Sequence, residues 1–253
     1  MRACIVIPHY NHGRAIGDVV ASLRPLGLPC LIVDDGSDDA SQAALDRILE
    51  AEGSWVTVHR LPVNRGKGAA VMAGCEAALA AGFTHAVQID ADGQHRVEDV
   101  PRLLEAARHQ PDALISGRAV YDESVPLSRL YGRYLTHVWV WINTLSMEIK
   151  DSMCGLRVYP LATTCAVWSH GYIGRRMDFD TEIMVRLSWR GVPIVHIPTP
   201  VTYPKDGVSH FRLLKDNVFI SLMHARLFLG MLLRLPLILG RRFARKLTTR
   251  VAA

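Results

Sequence analysis

"THAVQIDADGQH" (residues 84–95) runs from an apolar stretch straight into two carboxylates, Asp90 and Asp92. A strand is predicted over 84–89, and two acids at a buried strand end cost free energy unless a cation meets them. The same grammar recurs upstream. "ACIVIP" (3–8) ends at "HYNH", "CLIVDD" (30–35) opens "DDGSDD", and a strand at 55–60 precedes "NRGKG". Helical patterns fill the intervals at 15–23, 41–51, 67–82 and 97–108, and a fifth strand is expected at 112–116. The strands are continuous apolar runs rather than alternating ones, as when helices cover both faces of a parallel sheet. The fold class is therefore α/β, with a mostly parallel Rossmann-like sheet, whose ligands bind beyond the carboxyl ends of the strands. All four polar clusters fall at such ends.

Beyond residue 117 the pattern changes. Residues 130–147 read as an aromatic-rich amphipathic helix, 151–160 as a loop with a short strand, 178–191 as a helix, 192–198 as a strand and 203–210 as a turn. No linker interrupts residues 1–211, which read as one catalytic domain followed by a tail at 212–253. Hydrophobic residues make up 49% of the 253, which excludes a disordered chain. The five cysteines are scattered without a CxxC pair, which points to a reducing compartment and away from a zinc site. The apolar run of the N-terminus is too short for a signal-peptide core.

"DADGQ" does not fit an EF-hand loop, because Gly93 stands fourth rather than sixth and Pro101 occupies the twelfth position. A solvated surface turn is the commoner fate of such a triplet. Its place after an apolar strand instead suits a divalent cation held by Asp90 and Asp92, with coordination positions left for phosphate oxygens. In "DDGSDD", one of Ser37, Asp38 and Asp39 is expected to cap the following helix. Asp34 and Asp35 precede the turn, where a carboxylate can accept a base N–H and Gly36 lets the backbone approach. "NRGKGAAV" lacks the Walker spacing, but a helix start beside Arg65 and Lys67 can face a diphosphate.

Taken together, "IPHYN" (7–11), "IVDDGSDD" (32–39), "NRGKGAA" (64–70), "DADGQH" (90–95), "CGLR" (154–157) and "DFDTEI" (178–183) resemble the family 2 glycosyltransferases. The likeness covers about the first 200 residues and is greatest to the dolichol-phosphate mannosyltransferase and polyprenyl-phosphate glycosyltransferase branch. The resemblance implies the GT-A nucleotide-diphospho-sugar fold and an inverting, metal-dependent transfer from a UDP- or GDP-linked sugar. It implies that Pro8, Tyr10 and Asn11 line the nucleoside pocket, that Asp34 contacts the base with Asp35 and Gly36 around it, and that Lys67 lies nearby. Asp90 and Asp92 would bind Mg²⁺ or Mn²⁺ with Gln94 as a further ligand or sugar contact. Asp180 would be the general base and Glu182 its runner-up. Arg118, Arg129, Arg133 and above all Arg157 are the candidate cations for an acceptor anion.

Residues 212–250 hold nine Lys or Arg against one acid, Asp216, so the rest of the chain is slightly acidic. Within this tail "LFLGMLLRLPLILG" (227–240) is too short to span a bilayer, is interrupted by Arg234 and carries Pro236. Flanked by "RRFARK" (241–246), it reads as a basic amphipathic segment on an anionic cytoplasmic membrane surface. Nucleic acid is not the expected partner, since few aromatics interleave the cations. The expected protein is a cytoplasmic enzyme, peripheral to the inner face of the cell membrane, that glycosylates a lipid or glycolipid hydroxyl. The alternatives are a polyprenyl phosphate acceptor, a sugar nucleotidyltransferase, and a non-catalytic scaffold of the same fold. A nucleotidyltransferase would want a glycine-rich basic loop where "PHYNH" stands. The intact Asp90/Asp92 pair argues against the scaffold.

Overall fold

The computed structural model describes residues 1–121, 127–201 and 213–251. The turn expected at 203–210 lies outside them, as does the side chain of Arg129. A seven-stranded sheet forms the centre: β1 (Ala3–His9), β2 (Cys30–Asp34), β3 (Val56–Arg60), β4 (His85–Gln88), β5 (Leu114–Tyr121), β6 (Arg157–Pro160) and β7 (Ile194–Val201), in the order β3-β2-β1-β4-β6-β5-β7. The pairings are parallel except at β6, which runs antiparallel to both β4 and β5. The alternation of β1 shows why its strands are apolar throughout. Ile5 and Ile7 enter one core with α1 (Ile16–Leu23), α2 (Asp39–Glu52) and α4 (Val100–His109). Cys4 and Val6 enter the other. That second core holds α3 (Lys67–Ala80), α5 (Leu127–Thr144), α6 (Leu161–Ser169), α7 (Phe179–Trp189) and part of α8 (Leu213–Val251). Asp38 is the residue that caps α2, accepting from the Ser41 N–H at 2.9 Å.

The C-terminal segment departs from the sequence reading. It is one 39-residue helix, α8, with Pro236 inside it rather than at a break. Proline removes one helical hydrogen bond and crowds the preceding turn, but Met231 and Ile238 are buried on either side and hold the helix to the domain. Met223 and Leu227 belong to the second core, so this part of α8 packs against the sheet domain. The apolar part is also longer than expected: Lys215–Arg241, 27 residues, is long and apolar enough to cross a membrane by length and composition.

Polar anchors fix α8 against α7. Glu182 is fully buried. It accepts from Arg186 Nη2 at 2.7 Å, from Arg226 Nη2 at 2.5 Å and from the Gly174 N–H at 2.8 Å. The Arg226 guanidinium also lies 4.9 Å from the centre of the Tyr172 ring. Glu182→Ala would leave two arginines facing each other across this helix pair. The expected result is a loss of roughly 3–5 kcal/mol of unfolding free energy, read by denaturant titration.

Candidate active site

Three elements converge at the carboxyl end of β4. Lys67 opens α3, Asp90 follows β4, and Asp180 lies in the first turn of α7. The Lys67 Nζ stands 2.8 Å from Asp90 Oδ2 and 2.8 Å from Asp180 Oδ2, so one ammonium bridges two carboxylates. Glycines make this approach possible. A Cβ on Gly68 would overlap the Phe179 side chain, so its absence lets the heads of α3 and α7 touch. A Cβ on Gly155 would overlap the Asp90 carboxylate itself. Behind Asp90, the Tyr159 hydroxyl donates to Gln88 Oε1 at 3.0 Å, and Gln88 Nε2 donates to Asp90 Oδ1 at 3.3 Å. His95 Nε2 is 3.7 Å from Asp90 Oδ2.

Charge is stored in this cluster. Burial alone would lower the Lys67 pKa, but Asp180 and Asp90 outweigh it and hold the group well above the ordinary lysine range. Burial would raise Asp90, yet Lys67 and His95 hold it well below the usual carboxylate range. The cation that meets Asp90 is thus first of all the chain's own Lys67. Gly155→Ala should fold, because the atoms it displaces belong to a side chain, and should cost about tenfold or more in activity by moving Asp90 away from Lys67. Equal activity in the variant would show that Asp90 need not be held there.

The other sequence-nominated residues are distributed unevenly. Pro8 is buried within β1, and Tyr10 and Asn11 are half-buried at its carboxyl end, with Asn11 at φ 53°. Asn11 is built into the turn, its N–H donating to Ser37 Oγ at 3.0 Å and its Oδ1 accepting from the Asp38 N–H at 2.8 Å. Asp34, expected at the base, is 1% exposed and spent on that same turn. Its Oδ1 accepts from the Ser37 N–H at 3.3 Å and faces His9 Nδ1 at 3.3 Å. Asp35 is also buried, accepting from the N–H groups of Arg65 at 2.8 Å and Gly66 at 2.7 Å. It therefore occupies the amides at the start of α3 that the sequence reading offered to a diphosphate. Gly36, at φ 69°, lies where a Cβ would come within 2.7 Å of Asn64 N. Asp92 is half-buried and accepts the Gln94 N–H at 3.0 Å.

Two expectations are corrected. Arg157 is fully buried and does not face an acceptor. It donates to the carbonyls of Cys154 at 2.9 Å, Ser152 at 2.8 Å and Asp180 at 2.7 Å, which makes it the internal brace of the Asp180 turn. Glu182 is turned away toward α8, paired with Arg186 and Arg226, and is not placed to act as a base. Nor does a side-chain cap explain the acids of α7, since Asp178 makes no cap bond. Residues not singled out beforehand complete the site. Asp151 is buried and accepts from Arg133 Nη2 at 2.9 and 3.0 Å and from the Ala119 N–H at 3.0 Å. Against the pull of burial, His137 and Arg133 hold it well below the usual carboxylate range. The loop from Asp151 to Gly155 thereby joins the Arg133–Asp151 ion pair to the carboxylate of Asp90.

Residues 4–173 match the family described as Glycosyl transferase family 2. The chain belongs to this family. A polyprenol monophosphomannose synthase from Mycolicibacterium smegmatis is 30% identical over 226 residues, covering 82% of this chain and 80% of its own. An undecaprenyl-phosphate mannosyltransferase from Micrococcus luteus is 30% identical over 215 residues, covering 83% and 87%. Among solved structures, glucosyl-3-phosphoglycerate synthase from Mycobacterium tuberculosis, in complex with Mn²⁺, UDP and phosphoglyceric acid, superposes with a TM-score of 0.67. That match is 16% identical and covers 90% of this chain and 78% of the other. The family 2 chain is a glycosyltransferase with the GT-A fold.

Among the described residues, no group of three or more His, Cys, Asp or Glu side chains is gathered to enclose a metal. Asp90 and Asp92 instead offer hard carboxylate oxygens from one short turn. Mg²⁺-type ions are commonly held by one or two carboxylates plus phosphate oxygens, so the set fits an ion completed by a diphosphate.

Proposed function

We propose that this family 2 glycosyltransferase moves a sugar from a nucleoside-diphosphate donor to a polyprenyl phosphate at a membrane surface. The observation that carries the reading is the double ion pair of Lys67 with Asp90 and Asp180. The acceptor expected first from sequence was a hydroxyl, with Asp180 taking its proton. Asp180 is poorly arranged for that task. Its Oδ2 is committed to Lys67 at 2.8 Å, and its Oδ1 is buried and, among the described residues, meets only Arg157 at 3.8 Å. An anionic acceptor needs no base, only cations to hold it. Arg133, which the Asp151 carboxylate holds by a two-bond contact, and Arg118, whose neighbour Ala119 donates its N–H to Asp151, suit that role. The names of both 30% relatives point to the same acceptor class.

In this reading Asp90 and Asp92 would hold Mg²⁺ or Mn²⁺, which would supply positive charge for the departing nucleoside diphosphate. Lys67 stands beside Asp90 as a second, permanent positive charge. An acceptor phosphate oxygen forms a bond to the anomeric carbon while the bond from that carbon to the diphosphate oxygen breaks. The electron pair leaves with the diphosphate, attack from the opposite face inverts the centre, and no proton moves. The lipid acceptor is consistent with the surface of α8, where Leu229, Leu233 and Leu237 are 62%, 83% and 65% exposed. With Leu135 and Trp139 of α5 they form an apolar face suited to a bilayer.

The test is transfer of labelled sugar from UDP- and GDP-linked donors to undecaprenyl phosphate or to the matching alcohol, using the full chain in neutral detergent with Mn²⁺ or Mg²⁺. Organic-extractable product is expected with the phosphate and not with the alcohol. Product formed on the alcohol alone would return the enzyme to the hydroxyl class.

A further inference from the structure

A cavity of about 250 Å³ lies between α6, α7 and α8, far from the carboxylate cluster. Its walls include Arg186, Arg190, Arg234, Arg241, His170 and Trp189. Asp180 and Trp189 are nine residues apart on α7, about 13 Å at the helical rise, so the cavity sits at the opposite end of that helix. Its charge is unusual. Arg186 is neutralised by Glu182, but among the described residues no carboxylate pairs with Arg190, Arg234 or Arg241. The latter two are not loose surface cations. Arg241 donates to the Trp189 carbonyl, and Arg234 donates to the Gly230 carbonyl at 3.1 Å while lying 5.2 Å from the centre of a Trp189 ring. The three guanidiniums are exposed and screened by water, but they converge on one cavity and offer it unpaired positive charge that an anion can meet.

The cavity has a second character. Leu237 and Ile238 of α8 line it, and the same helix carries Leu233, 83% exposed and the most exposed large apolar side chain among its described residues. A basic pocket that opens onto an apolar helix face fits a molecule with a phosphate at one end and hydrocarbon at the other. We infer that this cavity binds the phosphate headgroup of an anionic membrane phospholipid, with its acyl chains along the exposed face of α8. The site lies at the other end of α7 from the Lys67–Asp90–Asp180 cluster, and does not rest on the reaction assigned above. Guanidinium groups suit it because their planar forks match phosphate oxygens.

The experiment titrates the full chain, in neutral detergent with UDP and Mn²⁺ present throughout, with dihexanoyl phosphatidylglycerol, dihexanoyl phosphatidylcholine or inorganic phosphate. The readout is melting temperature, which rises on binding to the folded state. A saturable rise is expected with phosphatidylglycerol and little with the other two at equal concentration. The variants are Arg190→Gln/Arg241→Gln and Arg190→Gln alone. The single variant touches an exposed side chain and preserves the Arg241 contact in case the double variant folds poorly. Either should weaken the apparent affinity, the double by tenfold or more, whereas Arg108→Gln on α4 should leave it unchanged. Equal rises with the two phospholipids, or an unaltered rise in the single variant, overturn the proposal. A full response to inorganic phosphate overturns the lipid as its source.

Discussion

Asp90→Asn is expected to fold normally and to lower sugar transfer by about 10²-fold or more. The neutral amide removes the charge that faces Lys67 at 2.8 Å and one of the two oxygen donors available to a cation. Removing a single preorganised electrostatic contact at a reacting centre typically costs 10²–10³ in turnover. Folding should survive because Lys67 keeps its partner Asp180 and because Gly155 leaves room for an amide of the same shape. The accompanying measurement is the melting temperature with UDP or GDP, with and without Mn²⁺. Wild type should show a metal-dependent rise, and Asp90→Asn should not. Asp92→Asn should also lose that rise while keeping the Lys67 bridge. A metal-dependent rise of normal size in both variants would remove the pair from the donor site.

The sequence carried the sheet further than the site. Strands β1 and β2 were legible because each is buried on both faces and therefore reads as an almost unbroken apolar run, whereas β3, at the sheet edge, buries only Val56. β6 was read only as a short strand after a loop. Nothing local in "RVYP" announces that it inserts antiparallel between β4 and β5, since that order is fixed by pairings 70 and 40 residues away. α6 was missed because "LATTCAVWS" follows a proline and is rich in residues with weak helix preference. It forms because Leu161, Cys165 and Val167 are buried in the second core. The carboxylates divide in the same way. Asp90 stands at the strand end where it was expected, whereas Asp34 accepts the Ser37 N–H of its own turn and Asp35 the N–H groups of Arg65 and Gly66 some thirty residues on. A lone sequence shows that an acid stands at a strand end, but not whether an amide has already claimed it. Arg157 and Glu182 are both fully buried, and in each case a partner far along the chain, the Asp180 carbonyl and Arg226, completes a network that the local sequence does not announce. The long helix α8 was underestimated because a proline was weighed without the packing that holds both sides of it.

Arg118→Ala is expected to reduce kcat/KM for a polyprenyl phosphate by roughly 10- to 10²-fold, while Asp180→Asn costs less than about tenfold. A charge-assisted hydrogen bond to a phosphate contributes about 1.5–3 kcal/mol, which sets the first figure. Arg118 is half-buried on β5 next to Ala119, whose N–H binds Asp151, and no carboxylate among the described residues neutralises it. Its loss should appear in the acceptor term, with nucleoside-diphosphate affinity unchanged. Asp180 makes the opposite demand. A general base contributes 10²–10⁴, so if a hydroxyl were the acceptor its amide variant would be crippled and the acidic limb of the pH–rate profile would vanish with it. If the nucleophile is already an anion, Asp180 serves mainly to hold Lys67, and Asp90 still holds that ammonium at 2.8 Å when Asp180 is neutralised. The pH–rate profile should then keep its shape in Asp180→Asn. A crippled Asp180→Asn beside a nearly normal Arg118→Ala would reverse the assignment, making Asp180 the base and a hydroxyl the nucleophile. The two variants therefore separate the acceptor classes by chemistry rather than by likeness to relatives.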